Sequence, residues 1–461
     1  MKKQNAIKLL SGILLTGALG AASVHSAEVT GIVGKNDWLF YQLELLNPTE
    51  AAKTSESIAL IGRLNKVLAA NGISMAITVV PLKMRIYSEQ LPDNVKLNDY
   101  MVGNYERINK SLQSMGVMAI DLNQPFLSSP KRNSDTPLFF RLDSHWNPTG
   151  AMLAAETIKA GVDANAALKK ALEVSPLVEY KMSVGKRKLL SKGTNLVDAV
   201  PPKSGPFAPE YLPLVSVTRA QAPIDDKRAS AGIAVVGSSY SMDWTGFVDG
   251  LRFTLQRDIV NASVTGDKGF WFGMESYLRS DAFQDKAPKM LIWEMSEFVL
   301  RVPPDTHNDP RYASNNTEWL LRTSALVQAT CKPSAVTARV MPIGLAANAA
   351  NLKGGDVATG PTNDNEFIEI SFDKPIERMD YLAARATAVG SKSVVLEGSG
   401  PGVATRRFTV ELAGDDASHA LKTPLPSNGS GFTKVRIYPG KSTSFAVQGL
   451  KVCRQPDDLL K

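Results

Sequence analysis

The hydrophobic period of this 461-residue chain changes at Cys331, and no single layered architecture accommodates both sides of that change. Upstream, short and nearly all-apolar runs stand in ISMAITVVP (73–81), GVMAIDL (116–122), GIAVVGSSYS (232–241) and KMLIWEMSEF (289–298). Runs that are apolar on both faces are those of buried parallel strands. Helical patterns separate them. In ESIALIGRLNKVLAANG, Ile58, Ile61, Leu64 and Leu68 share one face, and Asn71-Gly72 supplies the stop. Pro148 opens a second helix, TGAMLAAETIKAGV, with Gly161 near its end. Such alternation predicts an α/β domain on a mostly parallel sheet.

Downstream the period falls to two. FIEISFD (367–373), KSVVLEG (392–398), RRFTVELA (406–413), TKVRIYPG (433–440) and TSFAVQGLKVC (443–453) alternate, separated by Gly, Ser, Asp and Pro clusters. That pattern predicts an all-β sandwich. The expected organisation is therefore an α/β domain over 28–330 and a β-sandwich over 331–461. Two domains also suit the length.

Residues 1–27 read as an export signal. Lys2, Lys3 and Lys8 precede the largely apolar run Leu9–Gly20, and small residues lead to Ser26-Ala27. The run falls short of the roughly 20 residues a membrane span needs, which favours a cleaved leader over an uncleaved anchor. The expected location is the bacterial periplasm. In that oxidising compartment the only two cysteines, Cys331 and Cys453, are expected to pair rather than remain core thiols.

The formal charge is +7; the leader holds three lysines and no acid, which leaves +4. No dense Lys/Arg stripe accompanies it, so nucleic acid is not an expected partner. The local cluster GKRKLLSKG (185–193) reads as a solvated loop more readily than as a binding patch. VPPDTHNDPRYASNN (302–316) reads as a polar loop bordering a cleft.

Two short segments carry chemistry. Gly237-Ser238-Ser239 closes a buried strand at the edge where α/β folds place ligands. A serine there can be a nucleophile beside free backbone N–H groups, or merely the cap of a turn. In RLDSHWNPTG (141–150), Asp143 and His145 stand two apart, a spacing that projects both to one side of an extended segment. Asp143 can then orient His145 as general base toward a serine hydroxyl. A metal pair and a buried structural pair remain the alternatives. The other histidines beyond the leader, His307 and His419, lie in polar stretches without matching spacing, so no metal site is expected.

Four blocks resemble a known family, the SGNH-hydrolase-like acetyltransferases of alginate biosynthesis. They are GKNDWLFY (34–41), VVPLKMRIYSEQLP (79–92), DTPLFFRLDSHWNPTGAMLAA and VVGSSYS, in the family's order. The β-module with a cysteine at each end is similar to the carbohydrate-binding module of its two-domain members. GDKGFWFGMESYL (266–278) resembles a further stretch expected to border the site.

The resemblance implies a role at each matching position. Ser239 would be the nucleophile in preference to Ser238, His145 the general base and Asp143 its orienting carboxylate. The order Asp, His, Ser reverses the usual SGNH arrangement and implies a circular permutation of that fold. The Ser239 N–H would serve the oxyanion. No cofactor is implied. The acetyl donor would come through a membrane-bound acyltransferase, and the acceptor would be an acidic, mannuronate-rich polysaccharide handled with export-complex proteins.

For the β-module the resemblance implies basic and aromatic side chains on the polymer. All six tryptophans precede Cys331, which leaves Tyr381 and Tyr438 as platforms. Arg406, Arg407, Lys434 and Arg436, on strand patterns taken as adjacent, are the candidate carboxylate ligands, although exposed strand positions are also commonly charged. The same triad serves an acetyl esterase or deacetylase, and a non-catalytic polymer-binding scaffold is a third possibility from a different class.

Overall fold

Ser74–Val80 and Met290–Ser296 lie side by side at the centre of a five-stranded parallel sheet, paired from Ser74↔Met290 to Val80↔Ser296. This computed structural model describes residues 30–189, 192–220, 232–341, 350–353, 356–427 and 430–461. The expected export signal lies outside the described residues. In chain order the strands of the first domain are β1 (Gly31–Val33), β2 (Leu39–Tyr41), β3 (Ser74–Val80), β4 (Met118–Ile120), β5 (Tyr180–Leu189), β6 (Tyr211–Arg219), β7 (Ile233–Gly237), β8 (Ile259–Ser263) and β9 (Met290–Ser296). The central sheet runs β4-β3-β9-β7-β8; β1-β2 and β5-β6 are separate antiparallel pairs.

The apolar runs are explained by burial on both faces. Ile233, Val235, Met290 and Ile292 join one core with the helices Pro148–Ala164 and Phe247–Leu255. Ala234, Val236, Leu291 and Trp293 join the other with the helices Ala51–Ala70, Asp99–Ser114 and Asn316–Val327. The result is a helix-sheet-helix sandwich. Four central strands match expected runs. The fifth, β8, has only one buried position and is interrupted by Asn261, so it carries little apolar pattern. GKRKLLSKG is corrected in part: Gly185–Leu189 belong to strand β5, whose alternation is masked because nearly every position faces solvent.

The second domain comprises β10 (Ala338–Met341), β11 (Ala350–Lys353), β12 (Asp356–Pro361), β13 (Ile368–Ile376), β14 (Asp380–Val389), β15 (Ser393–Gly400), β16 (Val403–Glu411), β17 (His419–Pro424), β18 (Phe432–Tyr438) and β19 (Ser444–Arg454). Two antiparallel sheets, β10-β13-β18-β15-β16 and β11-β12-β19-β14-β17, enclose a core that includes Ile370, Leu396, Val435, Leu382, Leu421 and Val447. The alanine-rich β14 and the short β10, β11, β12 and β17 lacked enough β-branched alternation to be read as strands.

Cys331 and Cys453 form a disulfide, with Cα atoms 5.2 Å apart, tying the chain just beyond the helix Asn316–Val327 to β19. The last residues then turn back. Gln455 accepts a hydrogen bond from Ser324 Oγ at 2.7 Å and donates one to Leu321 O, and Leu459 is buried in the α/β core. The chain beyond Cys331 therefore serves both domains.

Candidate active site

The RLDSHWN segment is a tight strap and not an extended strand. Phe139 bridges to Trp146, and Phe140 N–H donates to His145 O at 3.2 Å. Same-side projection therefore does not bring Asp143 to His145. Asp143 instead folds its carboxylate over the strap, where Oδ1 accepts from His145 N–H at 2.9 Å and faces His145 Nδ1 at 2.6 Å. This is the local geometry aspartate favours in turns. Asn195 N–H donates to the other oxygen at 2.9 Å. Burial alone would raise the Asp143 carboxyl; the bond and charge of His145, with the two N–H donors, outweigh it and hold the group below the ordinary aspartate value. The strap ends at Asn147, which caps the helix Pro148–Ala164 through Thr149 N–H at 2.8 Å and anchors to Pro137 O at 2.7 Å.

The second element is the turn after β7. Ser239–Ser241 form a single 3₁₀ turn at the carboxyl end of the sheet. Ser238 is its cap: Oγ accepts from Tyr240 N–H at 3.2 Å and donates to Glu294 Oε1 at 2.9 Å. Glu294, fully buried on β9, also accepts from Ser238 N–H at 2.8 Å and Ser241 Oγ at 2.7 Å. Burial pushes the Glu294 carboxyl up, against the downward pull of those bonds. Gly237 leaves room for this cluster, since a Cβ there would stand 2.7 Å from Glu294 Oε2. With Ser238 and Ser241 committed to Glu294, Ser239 Oγ meets His145 Nε2 at 2.7 Å.

Aromatic rings wall the meeting point. Tyr240 donates its hydroxyl to Ser144 O at 2.7 Å, and Trp146 Nε1 donates to Tyr240 O at 3.0 Å, so each loop is pinned to the other. Tyr240 lies 4.6 Å from the His145 ring and Trp244 stands edge-on to it at 5.1 Å. Five of the six tryptophans are buried, and Trp244 alone is partly open to solvent.

Sequence reasoning missed Glu294, although a lone carboxylate inside the apolar run LIWEMS was a legible signal. It also missed Asn195 and Tyr240, whose roles depend on contacts between distant segments. Among the described residues no group of His, Cys, Asp or Glu is arranged to hold a metal. His419 is not in a polar loop: it opens β17, buried between Asp281 at 2.8 Å and Asp415 at 2.6 Å. His307 lies in a loop, its Nδ1 accepting from Asp309 N–H at 3.1 Å.

The candidate polymer ligands separate. β15 lies between β16 and β18, so Arg406 and Arg407 are not on the strand next to Lys434 and Arg436. The alternating pleat also divides the first two. Arg407 pairs with Glu397 at 2.8 Å and lies over the Tyr438 ring, while Lys434 and Arg436 share Glu369. Arg406 reaches the first domain, 2.7 Å from Glu318, and lines with Arg311 and Tyr312 of the 302–316 loop a cavity of about 520 Å³ between the domains. Tyr381 is excluded as a platform, being buried beside the disulfide.

A family model described as "SGNH hydrolase-like domain, acetyltransferase AlgX" matches residues 32–297, more than half of the chain and both loops of the site. The chain belongs to this AlgX acetyltransferase family. The probable alginate O-acetylase AlgJ of Azotobacter vinelandii is 30% identical over 291 residues, 59% of this chain and 70% of the relative. Among solved structures, Pseudomonas aeruginosa AlgX matches with a TM-score of 0.63 at 18% identity, over 92% of this chain and 94% of that one. The O-acetyltransferase domain of Pseudomonas putida AlgJ matches with a TM-score of 0.53 at 24% identity, over 63% of this chain and 98% of that one. The AlgX likeness shows that the family's α/β fold is followed here, as there, by a β-rich domain. No helix among the described residues is long and apolar enough to cross a membrane.

Proposed function

We propose that this AlgX-family protein is an O-acetyltransferase that moves acetyl groups to hydroxyls of a mannuronate-rich exopolysaccharide, alginate, in the periplasm. The observation that carries the proposal is the hydrogen-bonded run from Asp143 through His145 to Ser239 Oγ at the carboxyl end of the sheet. His145 takes the Ser239 proton as Oγ bonds to the donor's acyl carbon, and passes it to the leaving group as the old bond breaks. A sugar hydroxyl then attacks the acetyl-serine. His145 takes its proton and returns it to Ser239 Oγ as the acetyl group departs.

The Ser239 N–H is the proposed oxyanion donor. Trp244, partly open beside His145, offers an apolar ring to the acceptor sugar. Residues 331–461 act in this reading as a carbohydrate-binding module. The outward face bearing Arg407, Lys434, Arg436 and Tyr438 supplies cations and an aromatic ring to a polyuronate, and Arg406 extends that contact toward the first domain. The donor arrives through a membrane-bound acyltransferase working with export-complex proteins.

The test supplies nitrophenyl acetate to purified protein with and without oligomannuronate. Acetylated oligosaccharide formed by wild type and not by Ser239→Ala is the expected result. Free acetate alone, indifferent to oligosaccharide, would mark an esterase. Polymer binding without any acyl-enzyme would mark a scaffold and end the catalytic proposal.

A further inference from the structure

Lys83 is a buried cation at the first domain's catalytic edge that the chemistry above leaves unused, and unlike Arg85 beside it, which pairs with Glu297, it faces backbone. Its side chain is fully buried, and among the described residues no carboxylate stands within ion-pair distance. The ammonium instead donates to three backbone carbonyls: Leu39 O at 2.5 Å, Arg141 O at 3.0 Å and Asp143 O at 2.8 Å. Trp38 and Phe40 set their rings 5.2 and 5.3 Å from the same nitrogen. A buried ammonium is expensive unless its hydrogen bonds are complete and its charge is used. Here all three protons are placed, and two of them clamp the strap on either side of Leu142.

We infer that Lys83 is a positioning residue for acyl transfer, fixing the 141–143 backbone so that Asp143 meets His145, and setting a positive charge behind the Asp143–His145 pair. This rests on the acyl-enzyme reading of Ser239. Three features support the inference. The carbonyl of Asp143 itself is an acceptor, so a shift of Nζ is passed directly to the residue that orients the imidazole. The strap has no strand ladder of its own beyond the Phe139–Trp146 bridge, which leaves its centre to such clamps. The Leu39 carbonyl ties that centre to β2, and Leu39 N–H in turn donates to Arg141 O at 2.8 Å.

The charges around Lys83 come from several elements. Glu44 lies after β2, Glu210 before β6, and Asp143 and Arg141 on the strap. Burial lowers the Lys83 ammonium, Glu44, Glu210 and Asp143 pull it back up, and Arg141 opposes them. Burial correspondingly raises Glu44, with the Met84 N–H and Lys83 pulling down.

The experiment compares wild type with Lys83→Met, following acetylation of Ser239 by nitrophenyl acetate across pH in the full chain. The clamp predicts acylation slower by about 10²-fold, the scale of a misplaced reacting group. The lost positive charge predicts a second, independent change. Protonation of His145 becomes easier, so the acid limb of the rate profile moves to higher pH. A purely structural lysine would alter thermal stability and leave the position of that limb alone. A folded Lys83→Met protein with the wild-type rate and limb overturns the inference. Should Lys83→Met not fold, Lys83→Gln retains two N–H donors without the charge, and the same displacement of the limb is expected; an unmoved limb overturns it equally. Absence of any acyl-enzyme in wild type would instead refute the Ser239 reading, and the two failures are thus distinct.

Discussion

His145 Nε2 and Ser239 Oγ stand 2.7 Å apart although 94 residues separate them in the chain. Each sits on a loop that is held from outside itself. The His145 strap runs into the capped helix Pro148–Ala164, and the Ser239 turn is gripped by Glu294 from the neighbouring strand β9. Tyr240 and Trp146 then pin one loop to the other. The pair is thus preorganised by the fold, which is the condition for efficient proton transfer.

Ser239→Ala should abolish acetylation of the intact protein by an activated ester, read as the loss of the acetyl mass on that residue. Asp143→Asn removes the carboxylate charge, must turn its N–H₂ toward either His145 or the Asn195 N–H, and allows the wrong imidazole tautomer, and should slow acylation by up to about 10⁴-fold. Acidification should slow wild type as the imidazole is protonated. Equal acylation rates in Asp143→Asn and wild type would remove Asp143 from the mechanism.

Glu294→Gln tests the grip on the Ser239–Ser241 turn. The carboxylate accepts from the Ser238 N–H and from both flanking hydroxyls, whereas an amide must turn one N–H₂ toward a donor. An unsatisfied buried group costs about 1–3 kcal/mol, so a lowered Tm in a still-folded protein is expected. The turn should also shift Ser239, slowing acylation by about 10²-fold. A thermal shift with acylation untouched would make Glu294 structural only.

Much of this was legible because burial on both faces writes a plain pattern into a parallel strand, and because Asp143-Ser144-His145 and Gly237-Ser238-Ser239 are contiguous. The support around them was not. Asn195 is a loop residue whose N–H happens to meet Asp143, and the strap's tight closure overrides the extended geometry suggested by its spacing. In the sandwich, strand order escapes a reading of period: β15 slips between β16 and β18, so the expected row of cations is interrupted by Glu397 and Glu369, and Arg406 turns away toward Glu318.

His419 should make the domain interface sensitive to pH. Both ring nitrogens face carboxylates, Asp281 from the first domain and Asp415 from the second, so only the imidazolium donates to both. The bonds to Asp415 and Asp281 raise its titration above the ordinary histidine value against a small effect of burial. A raised histidine contributes stability that is fully present below its unfolded value, about 6.5, and is lost as pH rises through the higher folded value. Tm should therefore fall across that window in wild type, and the fall should be reduced in His419→Gln. Identical Tm profiles for the two proteins would remove the latch.

The disulfide should be the larger contributor to the second domain. Cys331 and Cys453 are 122 residues apart, and closing so long a loop restricts the unfolded chain; removing such a bridge costs about 2–5 kcal/mol. Cys331→Ser with Cys453→Ser, or reduction of wild type, should lower the urea midpoint by that margin. The loss should begin in the sandwich, because β19 carries Cys453 and pairs with both β12 and β14. Ser239, His145 and Asp143 lie on loops of the other domain, so acylation by a small ester at 25 °C should persist in the double variant while polymer binding weakens. The C-terminal return through Gln455 and Leu459 gives a further readout. If releasing β19 also frees that segment, amide exchange should rise in the helix Asn316–Val327 as well as in the sandwich. Exchange confined to the sandwich would show that Gln455 and Leu459 hold to the α/β core without the covalent tie.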